Sequence, residues 1–173
     1  MTTSQILQHK LVLAVNEEKD ILDIIEEKFF CEAPNVTFHA ATTFENARQY
    51  LLSYTYDLVV LDILGVRGLE LLQIAHNAGV PVVILTAHAV SREALRKSIE
   101  LGARAYLPLE KLGSLIPFLE EVLTLEYQSA WKKALHQVGT LLAKRFGSDR
   151  RKAQVEFWTG LKKTTVGQAG TIK

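Results

Sequence analysis

Asn16, Glu17, Glu18, Asp62 and Thr86 are the side chains of this chain best placed to do chemistry. Each stands where a short apolar run stops: Asn16 to Glu18 after LVLAV, Asp62 after LVVL, Thr86 at the end of PVVILT. If those runs are strands of one sheet, the polar groups meet at one rim. A carboxylate there is accessible, unlike one inside the sheet. Such a carboxylate can act as a nucleophile in group transfer or as an oxygen ligand for a hard cation. Asp57, at the opposite end of LVVL, would sit on the far rim and reads as a turn residue.

Other chemistry finds little support. The five histidines, His9, His39, His76, His88 and His136, show no metal-ligand spacing, and His88 reads as a loop residue near the rim. Gly65 and Gly68 lack the third glycine and the spacing of a dinucleotide-binding fingerprint. There is no Gly-x-Ser-x-Gly elbow. Cys31 is the single cysteine, which excludes a disulfide framework and a thiolate metal cluster. An independent enzyme is not expected.

The elements that must position the rim are legible from periodicity. LVLAV, VTFHAA, LVVL, PVVILT and ARAYL read as strands, two of them, LVLAV and LVVL, apolar throughout and so buried on both faces. Between them lie helical patterns. One has apolar residues at Ile21, Leu22, Ile24, Ile25 and Phe29, with acids opposite. A second opens on Thr43-x-x-Asn46, a third is closed by Gly79, and a fourth is capped by Ser91 and stopped by Gly102. A fifth starts near Ser114. Five strands alternating with five helices predict a parallel sheet covered on both faces, with right-handed crossovers. Alternation alone leaves the strand order open. Ligands of such sheets bind outside the carboxyl ends of the strands, where the winding reverses.

Bulk composition fits this reading. The 173 residues are 48% hydrophobic and 23% charged, with no apolar run long enough for a bilayer and no signal-peptide pattern at MTTSQILQHK. A cytoplasmic protein without membrane contact is expected. The net charge of +1 hides an asymmetry. Residues 1–124 carry ten Lys and Arg against sixteen Asp and Glu; residues 125–173 carry ten against three. An acidic body is followed by a basic extension.

Together, VNEE after the first strand, DLVVLDI ending in Asp62, VVILTAH with Thr86, and GARAYLPLEK resemble the receiver domain of bacterial two-component response regulators. The likeness runs from about Leu11 to Leu125. It implies a flavodoxin-like α/β fold of strand order 2-1-3-4-5, and phosphorelay signalling through protein–protein contacts. By that resemblance, Asp62 accepts a phosphoryl group from a sensor histidine kinase or a phosphotransfer protein. Glu17, Asp62 and the backbone carbonyl of Leu64 hold Mg²⁺, with Asn16 reaching it through water. Thr86 hydrogen-bonds the phosphoryl group, and Tyr106 is the aromatic switch residue. The chemistry suits the place, because phosphoryl transfer needs an in-line nucleophile and a cation to spread charge.

Three departures from the family pattern stand out. Asn16–Glu17 replaces the acidic pair found in many receivers, so weakened Mg²⁺ affinity is expected. Leu109 occupies the place of the family's lysine, leaving Lys111 as the replacement to consider. LGVRG, after Asp62, is shorter than the usual loop. A phosphorylation-independent pseudo-receiver, acting as a protein-interaction module, is therefore the alternative.

The predicted layout is a tail over 1–10, a receiver over 11–125, a basic amphipathic helical extension over 126–160 and a disordered tail over 161–173. Trp131, Leu135, Val138, Leu142 and Phe146 form one apolar stripe flanked by Lys132, Lys133, Lys144 and Arg145. That stripe is expected to pack on its own domain or form a homodimer. Nucleic-acid binding through Arg150, Arg151, Lys152, Lys162 and Lys163, with Phe157 and Trp158 between them, is a further alternative and not the expected one.

Overall fold

The computed structural model describes residues 4–86 and 91–124, with Thr86 described in its backbone only. The elements alternate as expected: β1 (Leu11–Val15), α1 (Lys19–Glu32), β2 (Thr37–Ala41), α2 (Phe44–Ser53), β3 (Leu58–Leu61), α3 (Gly68–Asn77), β4 (Val82–Thr86), α4 (Arg92–Glu100), β5 (Ala105–Pro108) and α5 (Leu115–Thr124). All four strand pairings are parallel, in the order β2-β1-β3-β4-β5. The winding reverses between β1 and β3, so a rim crevice opens there.

Burial explains the sequence pattern. All four residues of β3 and all four of β5 are buried, as is β1 from Val12 on. β2, at the edge, is mostly exposed or half-buried. Helix α1 packs with α5, while α3 packs with both α2 and α4, so the sheet is sandwiched. Phe29, Ile25, Leu61, Ile84 and Tyr106 are among the large side chains sealed inside.

The chain's local signals act where expected. Thr43 and Ser91 cap α2 and α4, accepting from the N–H groups of Asn46 and Ala94 at 3.3 and 3.0 Å. Asp57 accepts from the Leu11 N–H at 2.8 Å, while its own N–H donates to the Leu11 carbonyl at 2.8 Å. The two strands are thus clipped together at the rim opposite Asp62.

Some features differ from the sequence reading. Residues 4–10, expected as a tail, are tied down: Leu7 is fully buried, and Ser4 N–H donates to the Glu32 carbonyl at 2.9 Å. Ile24, expected on the apolar face of α1, is 44% exposed, and Phe30 is 77% exposed. Ser114 closes a 3-10 turn over Leu109–Ser114 ahead of α5. The predicted extension over 126–160, the tail over 161–173 and His88 lie outside the described residues. No helix among the described residues is long and apolar enough to cross a membrane.

Candidate functional site at the carboxyl rim of the sheet

Strand register brings the first two site residues together. Val15 pairs with Leu61, so Asn16 and Asp62 are the first residues beyond two neighbouring strands. The Asp62 N–H donates to the Val15 carbonyl at 3.0 Å, and the Asn16 N–H donates to the Ala41 carbonyl at 3.1 Å. Asp62 is therefore fixed by the sheet itself.

Side chains then shape the rim. Asn16 is buried, and its Oδ1 accepts from the Glu18 N–H at 2.8 Å, turning the chain toward α1. Asp62 makes the same kind of turn: its Oδ1 accepts from the Leu64 N–H at 3.1 Å. That bond folds the carboxylate back over its own loop. Asp62 is consequently only 5% exposed, a correction to the open carboxylate expected at a strand end.

Glu17 reaches across to the same loop. A Cβ built on Gly65 would stand 2.9 Å from Glu17 Cδ, so the glutamate's carboxyl group lies directly over the glycine. Gly68 permits a second close approach. A Cβ there would drive into the Asp62 carbonyl oxygen and Ile63 Cα. Only a glycine lets the start of α3 pack this tightly on the Asp62 backbone. The short loop is also strained: Val66 and Arg67 have φ of 47° and 52°, a left-handed conformation that β-branched residues rarely adopt. Arg67 is held there by stacking 4.0 Å over the Phe44 ring and by a two-pronged bond to Glu70.

On the β5 side, Tyr106 is 1% exposed. Burial, then the charges of Glu110 and Asp62, push its hydroxyl well above the usual tyrosine range. The ring is inside, and its electrostatic neighbours are acids. Leu109 is half-buried against the core, and Lys111 is exposed in the 3-10 turn, with no ion pair among the described residues. Register pairs Thr86 with Pro108 at the same rim.

The sequence reading missed Gly65 and Gly68 as shapers of this site. Two glycines three apart, directly after a strand-end aspartate, were the available signal.

A family model described as the response regulator receiver domain matches residues 12–111. The chain belongs to the response regulator receiver family. No curated protein matches it. Among solved structures, a CheY-like receiver domain protein from Methanospirillum hungatei is 26% identical, with a TM-score of 0.53 over 65% of this chain and 96% of its own. The signal receiver domain of a DNA-binding response regulator from Colwellia psychrerythraea has a TM-score of 0.60 at 17% identity, covering 67% of this chain and 99% of its own. A phosphorylated cyanobacterial phytochrome response regulator has a TM-score of 0.58 at 21% identity, covering 65% and 92%. The last two, at their low identity, speak to the fold of this receiver alone.

Proposed function

We propose that this receiver accepts a phosphoryl group on Asp62 and signals through protein–protein contacts. A carboxylate oxygen of Asp62 attacks phosphorus in line; the bond from phosphorus to the donor breaks, and the donor leaves with the bonding electrons. The product is an acyl phosphate. The donor is a phosphohistidine of a sensor kinase or of a phosphotransfer protein. The observation carrying this reading is the convergence of Glu17 and the Asp62 loop at the winding reversal.

The donor set fits Mg²⁺. Two carboxylates, of Glu17 and Asp62, and the carbonyl of Leu64 are hard oxygen ligands, and Mg²⁺ keeps several waters besides. Bound there, the ion would supply positive charge to the transferring oxygens. Asn16 contributes less than an acid would, since its Oδ1 is committed to the Glu18 N–H. Thr86 donates to a phosphoryl oxygen, and Tyr106 couples the event to β5.

A second reading, the phosphorylation-independent interaction module, is favoured by two observations. Asp62 is nearly buried, and Leu109 offers no ammonium where the family carries one. Mass spectrometry after incubation with acetyl phosphate and Mg²⁺ separates the two. One added phosphoryl group on the wild type, absent from Asp62→Ala, is expected. An unchanged wild-type mass, with kinases supplied as well, would leave the interaction module.

A further inference from the structure

The solvent face of α1 is unusual for a helix whose other side is already buried. At 100° per residue, Phe30 and Ile24 flank that face, with Asp20, Asp23, Glu27 and Cys31 between them. Phe30 is 77% and Ile24 44% exposed. Asp23 is paired with Lys19 at 2.9 Å, but Asp20 and Glu27 enter no ion pair among the described residues. Large apolar groups set among exposed acids form a surface for something apolar and basic.

The chain itself carries such a segment. Residues 126–146 hold Lys132, Lys133, Lys144 and Arg145 against the single acid Glu126, beside the stripe of Trp131, Leu135, Val138, Leu142 and Phe146. It begins two residues beyond Thr124, the last described residue of α5, and α5 packs against α1. Lys28 Nζ donates to the Gly113 carbonyl just before α5 at 3.5 Å, which fixes the two helices as neighbours. Attachment this close in the chain keeps the segment at high effective concentration near α1. Even a weak contact is then populated.

We propose that residues 126–146 dock intramolecularly along the solvent face of α1, apolar stripe toward Phe30 and Ile24, with Lys132 and Arg145, which border that stripe at 100° per residue, toward the acids. Charge selects this occupant. A second copy would bring its own acidic α1 face along with its basic segment, and it lacks the tether's advantage. Any protein that needs the α1 face must displace the segment, so docking sets a threshold on access to it.

Cys31, the chain's sole cysteine, lies within that face, so the nitroxide is placed beside it, on the exposed position 26, in the full-length Cys31→Ser, Glu26→Cys protein. Amide resonances of 131–146 should broaden at low salt. The broadening should fall about fivefold at ~0.5 M salt, where the Debye length is about 4 Å. It should fall similarly in Phe30→Ser, which removes an exposed side chain and leaves the fold intact. Absence of broadening over 131–146 would overturn the proposal. So would broadening unmoved by both salt and Phe30→Ser. Equal broadening when label and isotope sit on different molecules would assign the face to a second copy instead.

Discussion

The carboxyl group of Glu17 lies across Gly65, so near that a Cβ on the glycine would stand 2.9 Å from Glu17 Cδ. The first and third strand ends thus share one rim through a contact between an exposed, flexible acid and a bare backbone. Gly65→Ala should push the glutamate off the loop while costing little stability, because the side chain can swing into solvent. Mg²⁺ affinity by calorimetric titration should fall about tenfold, on the scale of changes around metal ligands. Unchanged affinity would remove Glu17 from the proposed ligand set.

Gly68 should behave in the opposite way. Its neighbours are the Asp62 carbonyl oxygen and Ile63 Cα, which are backbone and cannot step aside. Gly68→Ala should destabilise by about 1–3 kcal/mol, as overpacking does elsewhere. The urea midpoint should drop at constant slope.

Leu109→Lys tests the missing cation. Leu109 packs half-buried on the core, so the replacement should cost stability. It should also raise the rate of acceptance from acetyl phosphate about tenfold, since a charged hydrogen bond contributes about 1.5–3 kcal/mol. Lys111→Ala, altering an exposed side chain with no ion pair among the described residues, should leave that rate unchanged. A loss in Lys111→Ala would instead make it the working replacement.

Alkaline stability should report two buried tyrosines. Burial pushes the Tyr56 hydroxyl up to about 12, helped by Tyr50 and Tyr54, and burial raises Tyr106 too. Unfolded tyrosine ionises near pH 10. Between about pH 10 and 12 the native state therefore keeps protons that the unfolded state has lost, and stability falls as pH rises. Tyr56→Phe should remove about half of that slope, leaving the share of Tyr106. It also removes the 2.7 Å bond between Tyr56 and His39 Nδ1, so neutral-pH stability should drop by about 1 kcal/mol.

Strands, helices and the place of Asp62 were legible in the chain because each rests on local rules. An all-apolar run such as Leu58–Leu61 can only be buried on both faces, and a carboxylate after it must fall at a strand end. Thr43 and Ser91 announce helix starts for equally local reasons. Resemblance, not periodicity, supplied the 2-1-3-4-5 order.

Ile24 and Phe30 show where such reading stops. Both are apolar residues on an amphipathic helix, and only the packing of α1 against β1, β2 and α5 decided that they face water. Asp62 is the sharper case. Its position was written in the sequence, but its near burial follows from the Leu64 N–H bond and the glycine contacts of a strained loop. Residue type and periodicity determine which face or end of an element a side chain occupies. How open that side chain is depends on atoms from other elements, which no local pattern encodes.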